Sequence, residues 1–198
     1  MPDWHLAAEC LVGGKDYYIG YYSALVIYDL ITQPSLKEQI VVPKQTKPSI
    51  IYIKNIPFQF IFHNEHHFFG YEETWIDSYN RVLCSDLEKT IIDCLFKPVY
   101  AGGIVEISKA IFISKDQINF GKLLEYLKKF KSQAVIKRLG FLLELLEIKN
   151  NIIDTLLKLK SDSYVLLDTE LPKKGRFITR WSVQQNIEPE TIKSALYT

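Results

Sequence analysis

Residues 82–111, VLCSDLEKTIIDCLFKPVYAGGIVEISKAI, constrain this chain more than any other stretch, because they spell out where two helices begin and end. Ser85 precedes a helical run and Glu88 follows three residues later, the spacing of a capping box that satisfies two orphan backbone N–H groups, so the pattern predicts a helix from Asp86. Leu87, Ile91, Ile92 and Leu95 recur at helical period and form one apolar stripe. Glu88, Lys89, Asp93 and Lys97 fall largely outside it, on what this pattern makes the wet face. Pro98 cannot continue the helix, and Gly102-Gly103 supply backbone angles closed to other residues before Ile104, Ile107, Ala110 and Ile111 resume the period. The expectation is helix, sharp turn, helix, joining a β-rich first half to a helical second half.

The flanks support that division. A helix over residues 4–12, ended by Gly13-Gly14, leads in; Tyr17 to Ile19 is extended, and Tyr22, Leu25, Val26 and Leu30 fall at helical spacing. Residues 40–42, 50–53, 58–62 and 68–71 are strand-forming runs separated by Pro43, Lys47-Pro48, Asn55 to Pro57 and Gly70, which predicts an antiparallel meander. Phe58, Phe60 and Phe62 alternate with Gln59 and Ile61, as in a strand with one buried aromatic face. Beyond residue 111 come helices through Leu123 and Phe130, through Val135 and Leu146 with Ser132 as cap, and through Ile152 and Leu159 with a cap at Asn150-Asn151. Late strands at 164–167 and 176–183 pair as a hairpin across 172–175, and Pro189 opens a terminal helix. The class expected is α/β of the α+β kind. Residues 1–16 form the lead-in and 17–198 one domain, divisible into a β-rich lobe at 17–84 and a mainly helical lobe at 85–198.

A chain of 198 residues, 47% hydrophobic and 13% aromatic, can bury a sizeable core. Its 24 basic and 23 acidic residues generate no global field for a nucleic acid or an anionic membrane, so any charged surface must be local. No apolar run reaches the roughly 18 residues of a membrane span, and Met1-Pro2-Asp3 lacks the basic start of a signal peptide, so a cytoplasmic protein without membrane partners is expected. Cys10, Cys84 and Cys94 are odd in number, lack CxxC spacing and sit among apolar neighbours, which predicts three reduced, mostly buried thiols.

Residues with catalytic or metal-binding chemistry are sparse. His63, Glu65, His66 and His67 have ligand character, but adjacent strand residues point apart and no distant Cys or His completes a tetrahedral set; a solvated turn is expected, with no metal. Asp86, Glu88, Lys89 and Asp93 have the composition of a metal-dependent nuclease site, yet capping, the helix dipole and the i, i+4 spacing of Asp93 and Lys97 account for them. There is no G-x-S-x-G, and Gly13-Gly14-Lys15 and Gly102-Gly103 lack phosphate-loop spacing. No catalytic residue and no cofactor is therefore expected. The remaining candidate is basic: Lys122, Lys128, Lys129, Lys131, Lys137 and Arg138 are countered within their segment only by Glu125. Such a patch binds phosphates or an acidic partner, and a solvated helix face has the same pattern.

Several signatures occur in a fixed order over about 170 residues: YYIGYYSALVIYDLITQ at 17–33, HHFFG at 66–70, SDLEKTIIDCLFKPVYAGGIVEISKAI from Ser85, KRLGFLLELL at 137–146 with its Gly140, then Leu167-Asp168, Arg180-Trp181 and Asn186. Together they resemble the second domain of the AbiEi family, the antitoxin and transcriptional-regulator component of type IV abortive-infection toxin–antitoxin systems. The resemblance implies a cognate nucleotidyltransferase-like toxin, neutralised without a stable complex, and repression of the shared operon through an N-terminal winged helix-turn-helix. Only about 16 residues precede the Tyr17 motif, too few for a three-helix DNA reader. The expected role is accordingly that of antitoxin. Promoter binding through the basic patch is the alternative, and a nuclease on Asp86, Glu88 and Lys89 the third reading. The resemblance brings no catalytic residues with it.

Overall fold

Short β-branched and aromatic runs broken by Pro, Gly and Asn turns build one unit, and helical periods build the other. The computed structural model describes residues 4–31 and 33–197, and it divides the chain into Met1–Thr90 and Ile91–Thr198. Residues 1–3 of the lead-in, Thr32 of the first motif and Thr198 lie outside the described residues.

In the first unit α1 (Trp4–Val12) and α2 (Tyr21–Ile27) accompany a six-stranded sheet. Its strands are β1 (Tyr18–Ile19), β2 (Glu38–Val42), β3 (Ile50–Ile53), β4 (Ile56–Phe62), β5 (Tyr71–Trp75) and β6 (Arg81–Ser85), in the order β3-β4-β2-β1-β6-β5. The α+β class is as expected, but the strands are not a meander. β2 runs parallel to β4 and β1 parallel to β6, while the pairs β1–β2, β3–β4 and β5–β6 are antiparallel. The two-residue β1 sits in the middle, so segments far apart in sequence become neighbours; alternation identifies a strand but not its partner. Residues 65–67 turn, 68–70 are irregular, and the strand expected at 68–71 starts at Tyr71.

The core of this unit joins Ile19, Ile40, Val42, Phe58, Phe60, Val82 and Cys84 to Ala8 and Val12 of α1 and Ala24 of α2. The lead-in helix is thus part of the core. Phe62 departs from the expected buried aromatic face, being 44% exposed, whereas Ile61 on the other face is buried. Cys84 and Cys94 are buried and Cys10 is exposed, and all three are free thiols, so they are mostly buried as expected.

α3 (Leu87–Phe96) straddles the division, which falls inside the helix and not ahead of it at residue 85. Its start corrects two expectations. Asp86, not Ser85, is the cap: its Oδ1 accepts from Lys89 N at 2.9 Å. Ser85 ends β6, opposite Tyr71, and its Oγ lies 2.7 Å from Thr90 Oγ1 and 3.4 Å from Ile19 O. Shifting the cap by one residue places Lys89 at N3, so Glu88 has no capping-box geometry. Nor does the helix have a wet face, for Glu88, Lys89 and Asp93 are all buried.

The second unit continues through a 3₁₀ turn at Pro98–Tyr100, α4 (Gly103–Ser114), α5 (Phe120–Phe130), α6 (Gln133–Leu145), α7 (Ile152–Leu159) and α8 (Pro189–Ala195). Gly102 and Gly103 adopt φ of 77° and 82°, as the turn into α4 requires. Ser132 caps α6 through Val135 N, Asn119 caps α5 through Lys122 N, and Asn150 Oδ1 accepts from Ile152 N at the start of α7. The late strands become three: β7 (Val165–Leu166), β8 (Arg176–Ile178) and β9 (Val183–Gln185), ordered β7-β9-β8. The expected partner of 164–167 is displaced, because Ser182, with φ of 50°, turns the chain between β8 and β9. β8 and β9 are antiparallel and β7 lies parallel to β9. Among the described residues no helix is long and apolar enough to cross a membrane.

Gly140 lies in α6 directly under Trp181, and a Cβ there would fall inside the van der Waals envelope of the indole. Gly140→Ala is expected to lower stability by about 1–3 kcal/mol through overpacking. Asp86→Ala should cost about 1 kcal/mol, with Asp86→Asn close to wild type. Urea unfolding midpoints of the three variants test both assignments; an unchanged Asp86→Ala midpoint would remove Asp86 as the cap.

Candidate functional site

In the first unit the motifs meet one another. Lys89 is fully buried; its Nζ donates to Tyr18 Oη at 2.9 Å and lies 5.1 Å from the Tyr18 ring centroid and 5.4 Å from that of Phe69. Tyr18 Oη is also 3.2 Å from His63 Nδ1, and Tyr21 Oη is 2.7 Å from His63 Nε2. Phe68 and Tyr71 pack on the Tyr18 ring, each at 5.2 Å, the latter stacked. Asp86 N donates to Gly70 O at 2.9 Å and ties the HHFFG turn to the start of α3. An ammonium taken out of water needs acceptors and ring faces of this kind.

This arrangement corrects the reading of the histidines. His63 is buried between two phenols and is not part of a solvated turn, whereas His66 is exposed beside Glu65. No three potential metal ligands come together among the described residues. Tyr18, Tyr21, His63 and Lys89 form an enclosed row that braces the unit internally. A wider cleft of about 580 Å³ lies elsewhere in the unit, floored by Val12, Val42 and Phe60 with Lys15 and Lys44 at its edge.

In the second unit the later motifs also converge. Arg138 is buried and donates through Nη1 to Leu95 O (2.6 Å) and through Nε and Nη2 to Leu166 O (3.1 and 2.9 Å). Burial pushes its guanidinium down to about 10, and the nearby Asp168 carboxylate opposes the change. Lys137 Nζ donates to Ser161 Oγ and to both Ser163 O and Oγ; burial, then the charge of Lys160, holds its pKa below the usual lysine range. Glu144 accepts from Arg180 Nε at 2.7 Å and from Trp181 Nε1 at 2.6 Å, which fixes the indole over Gly140. Asp168 Oδ2 accepts from Ile104 N at 2.8 Å, capping α4 from a distant segment, and Asn186 bonds the Asp168 backbone on both sides.

The six basic residues therefore do not form one surface. Lys137 and Arg138 are interior hydrogen-bond donors, because α6 turns them away from the junction. Lys128, Lys129 and Lys131 are exposed on and just after α5, whose Leu123, Leu127 and Phe130 face inward. Lys122 is half-buried with its Nζ 5.5 Å from the Tyr126 ring. The surface that remains presents three lysines at a helix C-terminus, where the dipole favours them and where they can also meet phosphate or carboxylate. Total charge conceals a further feature. The second unit carries 17 basic and 12 acidic residues, a net of +5, and the first carries 7 and 11, a net of −4. Sequence reasoning also passed over Lys173, Lys174 and Arg176, all exposed between β7 and the end of β8; the PKKGR spelling was their signal.

Two measurements test the first unit. A double-mutant cycle between Tyr18→Phe and Lys89→Met is expected to give a coupling of about 0.5–3 kcal/mol, since the two side chains share a buried hydrogen bond. The second measurement is alkaline. Burial, reinforced by Glu9, Cys10 and Glu38, pushes Tyr17 up to about 12 from 10.0, and burial raises Tyr28 as well. A phenol whose folded pKa is raised supports the fold fully below its unfolded value and loses that support as pH rises toward the folded one. Stability should therefore fall from about pH 10 upward, and Tyr17→Phe should flatten the fall; a parallel slope in the variant would discount Tyr17.

No family model matches this chain, and no curated protein does. The fold is similar to the crystal structure of the RV2827C protein from Mycobacterium tuberculosis, with a TM-score of 0.69 at 11% identity, over 100% of this chain and 72% of that one. At this identity the similarity is one of fold.

Proposed function

We propose that the chain is the antitoxin of a type IV, AbiE-like toxin–antitoxin system: a cytoplasmic, non-enzymatic protein that counteracts a nucleotidyltransferase-like toxin and takes part in regulating its own operon. The observation that carries this reading is the convergence of the resembling motifs. Tyr18, Phe69, Gly70, Asp86 and Lys89 come from three separate stretches and join in one buried centre. Gly140, Asp168, Trp181 and Asn186 likewise support the second unit. Chance matches would be scattered over the surface, whereas residues that define a domain family occupy the places its packing depends on.

A second reading, transcriptional regulation through promoter contact, is favoured by the exposed Lys128, Lys129 and Lys131 in a unit of net charge +5. The two readings separate in one strain. Co-expression with a nucleotidyltransferase-like protein encoded beside this gene should restore growth; continued arrest would end the antitoxin assignment. If the lysines contact promoter phosphates, Lys128→Ala with Lys129→Ala should reduce the slope of log affinity against log salt by about two. Rescue of growth by that same variant would locate the antitoxin activity away from the lysines.

A further inference from the structure

The segment from Asp168 to β8 is held more firmly than an exposed loop needs to be. Asn186 Oδ1 accepts from Asp168 N (2.9 Å), and its Nδ2 donates to the carbonyls of Asp168 (2.8 Å), Pro172 (3.2 Å) and Leu171 (3.3 Å). Asp168 Oδ1 accepts from Glu170 N, and Lys174 N closes a turn onto Pro172 O. Gly175, at φ of 109°, lies against Gln185 O so closely that any Cβ would collide with it. The arm that results leads into β8 at the sheet edge.

What it presents is cationic and aromatic. Lys173, Lys174 and Arg176 are exposed, and of the two carboxylates in the arm Asp168 is buried and Glu170 exposed; Arg180 is already engaged by Glu144. Phe177 is 60% exposed and Tyr164 45%, with their rings 5.0 Å apart at 86°. In the β8–β9 ladder Phe177 stands opposite Gln184, while Ile178 stands opposite the buried Val183. The Phe177 ring is thus on the face turned away from the core. A half-exposed aromatic pair whose Phe177 is preceded in the chain by three exposed cations matches a stacking platform flanked by phosphate contacts.

From this geometry we infer that the arm binds single-stranded nucleic acid, with an unpaired base stacking on Phe177 and meeting Tyr164 at its edge, and Lys173, Lys174 and Arg176 contacting phosphates of the strand. A duplex would satisfy the cations, but its bases are stacked already and leave the rings nothing to hold. Prior ordering by Asn186 and Gly175 removes part of the entropy that a flexible loop would lose on binding. This site is separate from the lysines of α5 and does not depend on the antitoxin reading.

Fluorescence anisotropy with a labelled 12-nucleotide RNA, the DNA strand of the same sequence and its duplex, between 50 and 200 mM KCl, tests the inference. Expected are binding of the single strands in preference to the duplex, and a salt slope lower by about two when Lys173, Lys174 and Arg176 are replaced by Ala. Phe177→Ala should weaken binding roughly 5- to 150-fold at unchanged slope. Preference between the RNA and DNA strands identifies which the platform takes, and circular dichroism verifies that the variants are folded. No binding at 50 mM KCl, duplex bound as tightly as strand, or Phe177→Ala equal to wild type would each overturn the proposal.

Discussion

A lysine ammonium completely removed from water is the interaction on which the first unit depends. Lys89 enters from α3, and the unit supplies the phenol of Tyr18 from β1, the Phe69 ring from the HHFFG turn and, behind Tyr18, the imidazole of His63 from the residue after β4. Removing any one of these leaves buried polar groups with fewer partners, and that is costly in a low-dielectric interior. The same requirement explains why β1, only two residues long, is central: Tyr18 must reach Lys89 while its backbone pairs with β2. Strand order and polar centre are two aspects of one arrangement.

The second unit relies on close approach more than on a single charge. Trp181 can lie on α6 only because residue 140 has no side chain, and Glu144, one turn further on, receives the indole N–H and so fixes the ring's angle. Asp168 and Asn186 then connect the β7 and β9 ends to each other and to the start of α4. Most residues of the later sequence motifs in this unit are thus architectural. Exposed basic groups lie elsewhere, on α5 and on the arm before β8.

Charge distribution follows the same division. A chain of net charge +1 gives no reason to expect a polyanion, yet its second unit carries +5 and its first −4. Lys137 and Arg138 contribute to that total but not to any surface, since their donors are consumed by backbone carbonyls and serines. Two clusters of exposed positive charge are Lys128, Lys129 and Lys131, and the Lys173 to Arg176 arm, where Phe177 adds a stacking surface that lysines alone lack.

Local chemistry was readable in the sequence wherever the deciding atoms are near neighbours in the chain. Ser132 before α6, Asn150 before α7, Pro98 and Gly102-Gly103 between α3 and α4, and the helical period of Leu123, Leu127 and Phe130 act within a few residues, and the helices stand where those signals put them. Ser85 and Glu88 had the right spacing for a cap but lost it to Asp86, because β6 claimed Ser85 for its last pair and for contact with Ile19. Only the tertiary structure decided that β2 pairs with β4, that His63 and Lys89 lie inside, and that two of six basic residues are not surface at all. Each of those outcomes depends on partners 20 to 71 positions away, such as Gln39 with Gln59 and Tyr18 with Lys89, and no local period encodes which distant group will desolvate a charge.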